Sequence, residues 1–211
     1  MGLNTVATGV VVPAEWAPQK AVWTAWPADA GEWNGDVAAP RRDVAAMVRV
    51  LAAHGNAVRV LVNGAEAEAS ARAALGDAAE LVPARYGDIW LRDTGPIFAR
   101  TPDGRVALRF KTNSWGGKYD LPDDATVGDD IAERAGVPVR RFDFVLEGGA
   151  VDHDGEGTIL ATRQTLLNPN RNGWSKAEAE AALVQAFGAR KISRIDEGRK
   201  NGSYTQRTLA T

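Results

Sequence analysis

Two short runs place an acid where chemistry can be done with it. In "DIWLRDTGPIF" (Asp88–Phe98) Asp93 stands two residues before Gly95, and in "LEGGAV" Glu147 stands two residues before Gly149. Each acid opens a stretch that reads as a strand, and hairpin-turn residues arrive ten positions later, at Asp103 and Gly157. The acids are 54 positions apart (93 to 147), a fair length for one helix-plus-sheet module, so the pattern reads as an internal repeat. If the modules are related by rotation about an axis, the equivalent ends of their leading strands meet there. Asp93 then faces Glu147 across one pocket.

Three chemistries use convergent carboxylates, and each predicts different company. A metal site recruits histidine beside the acids, and the chain has two, His54 and His153. His54 precedes Gly55 at a helix end, where a solvated imidazole suits the dipole. His153 lies in "VDHDGEG", which reads as an exposed turn; Asp152 and Asp154 beside it match no cation-loop spacing. No metal is expected. A glycosidase uses two acids as general acid and nucleophile or base, with tryptophans to hold sugar rings, and seven Trp keep that reading open. The third chemistry is recognition of a guanidinium, a planar fork of donors that carboxylates bind bidentately and aromatic faces cover. Trp90, three residues before Asp93, and Trp115 in "NSWGGKY" are candidates for that cover. Core filling is the ordinary use of a tryptophan, and Asp-Thr-Gly-Pro is ordinary turn chemistry.

The elements that must carry these residues alternate along the chain. "KAVWTAWP" reads as a strand, and "APRRDVAAMVRVLAAHG" as a helix with Val44, Met47, Val48 and Leu51 at amphipathic spacing, Pro40 in its first turn and Gly55 at its end. A buried strand over Ala57–Asn63, a helix over Glu66–Leu75, the hairpin "PIFARTPDGRVALRF" and a helix over Asp123–Ala135 follow. Then come "VRRFDFVLEGGAV", a hairpin turned by "DHDGEG", a helix opened by the Ser175–Glu178 capping box and ended by Gly188, and a short strand over Lys191–Ile195.

Composition bounds what these motifs can mean. With 211 residues, 45% hydrophobic and 25% charged, the chain is globular, one large domain or two small ones. A net charge of -2 with no basic run argues against nucleic acid or an anionic membrane as partner. No apolar stretch reaches membrane-helix length and no signal-type segment opens the chain, so the cytoplasm is the expected location. There is no cysteine, which removes disulfides, thiolate metal sites and a cysteine nucleophile from these residues.

At this point the motifs coincide with a known family. "PAEWAPQKAVWTAWP", "DIWLRDTGP", "NSWGGKY", "LEGGAVDHDGEGTILAT" and "LLNPNRN", running in order from Pro13 to Asn172, resemble the agmatine deiminases and related bacterial peptidylarginine deiminases. The resemblance implies an α/β fold of the five-bladed propeller (pentein) type, with about three of five blades in this length. It implies hydrolysis of agmatine to N-carbamoylputrescine and ammonia through a cysteine thiolate, without cofactor. By the same resemblance Asp93 matches the guanidinium-binding aspartate and Glu147 the acid beside the catalytic histidine, while Trp90 and Trp115 match positions near the substrate channel. Agmatine, free arginine and peptidyl-arginine share the guanidinium and differ in the tail.

The departures set further expectations. After "RIDEG" the family has a Gly-His pair, an acid, two more blades and a late cysteine, whereas this chain reads "RKNGSYTQRTLAT". Residues 1–211 are therefore expected to form one incomplete catalytic domain, inactive alone, with residues 199–211 as a tail foreign to the family. A one-nucleotide shift can turn Gly-Ser-Tyr into Asp-His-Thr and Gln-Arg-Thr-Leu into Ser-Gly-His, so a frameshift would account for the tail. An open arc of blades exposes strand edges and apolar surface, which invites self-association into a homo-oligomer.

Overall fold

The computed structural model describes residues 9–195; the expectations for the tail 199–211 lie outside them. These residues fold as α/β, with nine strands in three three-stranded sheets. Among them no helix is long and apolar enough to cross a membrane. The chain divides into two compact units, Pro18–Leu91 with Leu121–Val127, and the described parts of Met1–Ala17, Arg92–Asp120 and Gly128–Thr211.

The first unit is a parallel sheet of β1 (Val22–Ala25), β2 (Val58–Val62) and β3 (Glu80–Pro83), in that order. Its central strand buries Val58, Val60, Leu61 and Val62, a mostly apolar run, broken by Arg59, of the kind expected where both faces of a parallel strand are covered. Helices Ala38–Ala53 and Ala65–Leu75 connect the strands. The first buries Val44, Ala45 and Val48, whereas Met47 is 44% exposed. At about 100° per residue Met47 falls about 105° from the centre of that stripe, so it leaves the apolar face that spacing alone assigned to it. Trp26 is fully buried; its Nε1 donates to Ser70 Oγ (2.8 Å) and its carbonyl accepts from Tyr86 Oη (2.5 Å).

The helix expected over Asp123–Ala135 is divided, a single turn Pro122–Ala125 and then Val127–Arg134. Asp124 explains the break, because its carboxylate turns inward and Oδ1 accepts from Gly87 N (2.9 Å) and Asp88 N (3.2 Å). The side chain is fully buried and burial pushes its carboxyl above the usual carboxylate range. Asp124→Ala is expected to cost about 2–3 kcal/mol by stranding two backbone donors, and urea denaturation measures it. A carboxyl with a raised folded-state pKa binds more protons in the native state, so its contribution falls as pH rises above about 4. Asp124→Asn should flatten that dependence.

The second unit holds two sheets built the same way. β4 (Ile97–Thr101) and β5 (Gly104–Lys111) form an antiparallel hairpin, and β6 (Val139–Val145) adds in parallel to β5. β7 (Val151–His153), β8 (Thr158–Thr162) and β9 (Lys191–Ile195) repeat the arrangement. The offset from β4 to β7 (97 to 151) and from β5 to β8 (104 to 158) is 54 in both cases, the spacing of the two acids. Before β9, helix Lys176–Phe187 carries both halves of the Ser175–Glu178 capping box and ends at Gly188, which is left-handed at φ 65°. One core joins the two sheets. Leu108, Leu146, Val151, Ile159 and Leu183 are buried in it, and Phe110 of β5 stacks on Phe142 of β6 and on Phe187 of the later helix. Neither repeat buries its apolar face alone.

Candidate guanidinium-binding site

Asp93 stands on a single helical turn, Leu91–Thr94, just ahead of β4. Arg109 of β5, itself 6% exposed, holds the turn by donating Nη1 to the Thr94 carbonyl (2.7 Å) while its Nε pairs with Asp129 (3.2 Å). Asp93 is buried and both its oxygens are engaged: Oδ1 accepts from Gly149 N (2.9 Å) and Oδ2 from Trp115 Nε1 (3.0 Å).

Glu147 occupies the matching place in the next repeat, ahead of the turn Gly148–Ala150 that leads into β7. Its two glycines are required by close approach. A Cβ at position 148 would strike the Arg92 carbonyl oxygen, and one at 149 would strike Asp93 Oδ1. Glu147 is 4% exposed, and its Oε1 lies 2.7 Å from Arg171 Nε. The Nε–H is turned off the line to that oxygen, so the contact is an ion pair without hydrogen-bond geometry, and neither Glu147 oxygen has a hydrogen-bond partner among the described residues.

Trp115 is delivered by strained backbone. Ser114 and Trp115 both adopt left-handed conformations, φ 52° and 56°, which cost non-glycine residues stability and persist where surrounding contacts enforce them. Here Asn113 enforces them, accepting from Gly116 N (2.9 Å) and donating Nδ2 to the Asn170 carbonyl (2.8 Å). Asn170 Oδ1 in turn accepts from Arg171 Nη1 (2.9 Å), and Asn172 clasps Val145 N and O (2.9 and 2.8 Å), two residues before Glu147. The runs "NSWGGKY", "LEGG" and "LLNPNRN" thus meet at one place. Trp90 belongs to the other unit, where it is 37% exposed.

Electrostatics at this place are those of acids taken out of water. Burial pushes the Asp93 carboxyl up, against the pull of the Trp115 and Gly149 donors and of the Arg92 and Arg171 charges. Burial also raises Glu147, with Arg171 lowering it and Asp93 raising it. With Arg92 paired to Glu15, the two buried carboxylates and Arg171 carry an excess negative charge suited to a further cation with planar donors.

The family model for Porphyromonas-type peptidyl-arginine deiminases matches residues 11–208. The chain belongs to this family. Among the similar proteins, the agmatine deiminase of Stutzerimonas stutzeri is 37% identical over 199 residues, covering 90% of this chain and 54% of its own length. The solved structure of the Enterococcus faecalis agmatine deiminase superposes with a TM-score of 0.84 at 28% identity, over 90% of this chain and 54% of that one. The C. jejuni agmatine deiminase, 23% identical over 90% of this chain and 56% of its own, shares the fold with a TM-score of 0.78. The chain spans about half the length of the relatives it matches.

Three residues at the site went unread in the sequence: Arg171, Asn113 and Arg109. Arg171 and Asn113 lie in or beside runs that carry the family resemblance, but which partner each takes depends on tertiary contact. His153 corrects the expected exposed turn. It ends β7, half-buried, with Nδ1 buried and lacking a hydrogen-bond partner among the described residues, and burial pushes its pKa down. Asp152 and Asp154 accept from backbone, Asp152 from His153 N and Asp154 from Glu156 N and Thr158 N. Among the described residues no group of three or more His, Cys, Asp or Glu could hold a metal ion. His54 caps its helix, its Nδ1 2.8 Å from the Val50 carbonyl.

Proposed function

We propose that these residues carry the guanidinium-recognising part of an agmatine deiminase, with Asp93 and Glu147 binding the guanidinium and Trp115 flanking it. The observation that carries the reading is the pair of buried acids, one from each repeat, held around the Asp93–Gly149 and Glu147–Arg171 contacts. The whole protein would hydrolyse agmatine and water to N-carbamoylputrescine and ammonia. Two carboxylates hold the guanidinium in its protonated, electrophilic form before attack at its carbon, and a carboxyl group there can pass a proton to the departing ammonia and take one from the attacking water.

In this reading the three sheets are three blades of a five-bladed α/β propeller, supported by the repeated hairpin, helix and parallel-strand order in the second and third. The attacking thiolate has no source among the 211 residues, which contain no cysteine. It would come from the half of the family's length that they do not span. The 211 residues are accordingly expected to bind a guanidinium without turning it over; a second reading makes them a guanidine-binding or interaction module without catalysis.

Calorimetric titration with agmatine tests the site, with putrescine, which has the amine but not the guanidinium, as control. Saturable binding of agmatine and none of putrescine is the expected result. Equal binding of both, or none of either, overturns it.

A further inference from the structure

Among the described residues Arg171 is the one guanidinium in ion-pair contact with Glu147, and its surroundings fix it closely. It is 12% exposed, its Nη1 donates to Asn170 Oδ1, and Gly116 packs so near that a Cβ there would strike both Arg171 and Asn170. Asn170 itself receives Asn113 Nδ2 on its carbonyl, so the arginine is anchored to the same loop that delivers Trp115. On the other side Glu147 is a buried acid following β6, and this ion pair is the contact that its carboxylate makes among the described residues. The ion pair with Arg171 Nε is made at Oε1, and both Oε1 and Oε2 are buried without a hydrogen-bond partner among the described residues.

Resting on the guanidinium-site reading above, we propose that Arg171 is the positioning residue for Glu147: it holds Oε1 and thereby leaves Oε2 as the acceptor for one N–H of the substrate guanidinium. A guanidinium presents five N–H donors in a plane, so it can meet Oε2 with one edge while Asp93, whose oxygens each keep a lone pair beyond the Gly149 and Trp115 bonds, takes another. Charge agrees with this division. Two carboxylates and Arg171 sum to a single negative charge, which one bound guanidinium neutralises. Arg171 also acts against the burial that raises both acids.

An arginine at a guanidinium site could instead be an internal occupant that substrate must displace, and the two roles predict opposite signs. Agmatine titrations of the 211-residue protein with Arg171→Ala and Arg171→Lys, each also in a Glu147→Gln background and across pH, separate them. Positioning predicts that Arg171→Ala weakens agmatine binding about tenfold at neutral pH, the lower end of what outer-shell partners of binding groups contribute. It also predicts that the acid limit of binding moves upward, because Glu147 loses the cation that lowers its pKa. Arg171→Lys should recover part of the affinity, since it restores the charge without the planar fork. In the Glu147→Gln background Arg171→Ala should change affinity by less than about twofold, the mark of two residues acting as one unit. Where Arg171→Ala fails to fold, Arg171→Gln, which keeps the length and the reach to Asn170, carries the same expectation. Tighter binding in Arg171→Ala would make Arg171 an occupant, an equal loss in both backgrounds would make it merely structural, and unchanged affinity would leave it no role; each overturns the proposal while the guanidinium site stands. Failure of the unmodified protein to bind agmatine overturns the site reading itself.

Discussion

Asp93→Ala is expected to weaken agmatine binding by at least about a hundredfold, equivalent to about 3 kcal/mol. The carboxylate is buried and already oriented by two donors, Gly149 N and Trp115 Nε1, so little ordering remains to be done when a guanidinium binds. Removing it also leaves a desolvated cation facing those two donors, which is unfavourable beyond the lost attraction. Asp93→Asn should lose nearly as much. Its amide keeps the volume and one acceptor, but its NH2 must face either Gly149 N or Trp115 Nε1, donor against donor. Titration calorimetry of both variants reads the effect, and an affinity within about threefold of the unmodified protein would contradict the role given to Asp93.

Gly148→Ala is expected to be the most damaging small substitution in the second unit, destabilising by about 2–3 kcal/mol. The new methyl would meet the Arg92 carbonyl oxygen, a backbone atom that cannot swing aside. Relief requires the turn bearing Asp93 to move away from the turn bearing Glu147, so stability and binding should fall together. Gly149→Ala makes a useful contrast. Its methyl would meet the end of the Asp93 side chain, which can rotate away, so binding should suffer more than stability. Urea denaturation alongside agmatine titration distinguishes the two, and an unchanged unfolding midpoint for Gly148→Ala would show that the two turns do not depend on this close approach.

What the sequence made legible is what depends on neighbours in the chain. The hairpins over Ile97–Lys111 and Val151–Thr162, the capping box at Ser175 and the left-handed Gly188 follow from local turn and cap chemistry, and the structure has them. The repeat of 54 was readable because it recurs in residue type, and it anticipated that the turns of Asp93 and Glu147 meet. Strand β3 was not read: "ELVP" is four residues long, ends in proline, and becomes a strand by pairing in parallel with β2. The break near Asp124 and the exposure of Met47 likewise depend on what packs against them, Asp124 on the Gly87–Asp88 amides and Met47 on which side of its helix faces the sheet. Arg171 was hidden for the same reason. Twenty-four positions separate it from Glu147 (147 to 171), and nothing in that spacing pairs them until the Asn170–Asn113 and Asn172–Val145 contacts bring the loop home.

A crystal structure of the 211-residue protein grown with agmatine addresses the central claim most directly. The account predicts the guanidinium within hydrogen-bond distance of both Asp93 and Glu147 Oε2, with Arg171 still on Oε1. Agmatine seated elsewhere, or touching neither carboxylate, would contradict it.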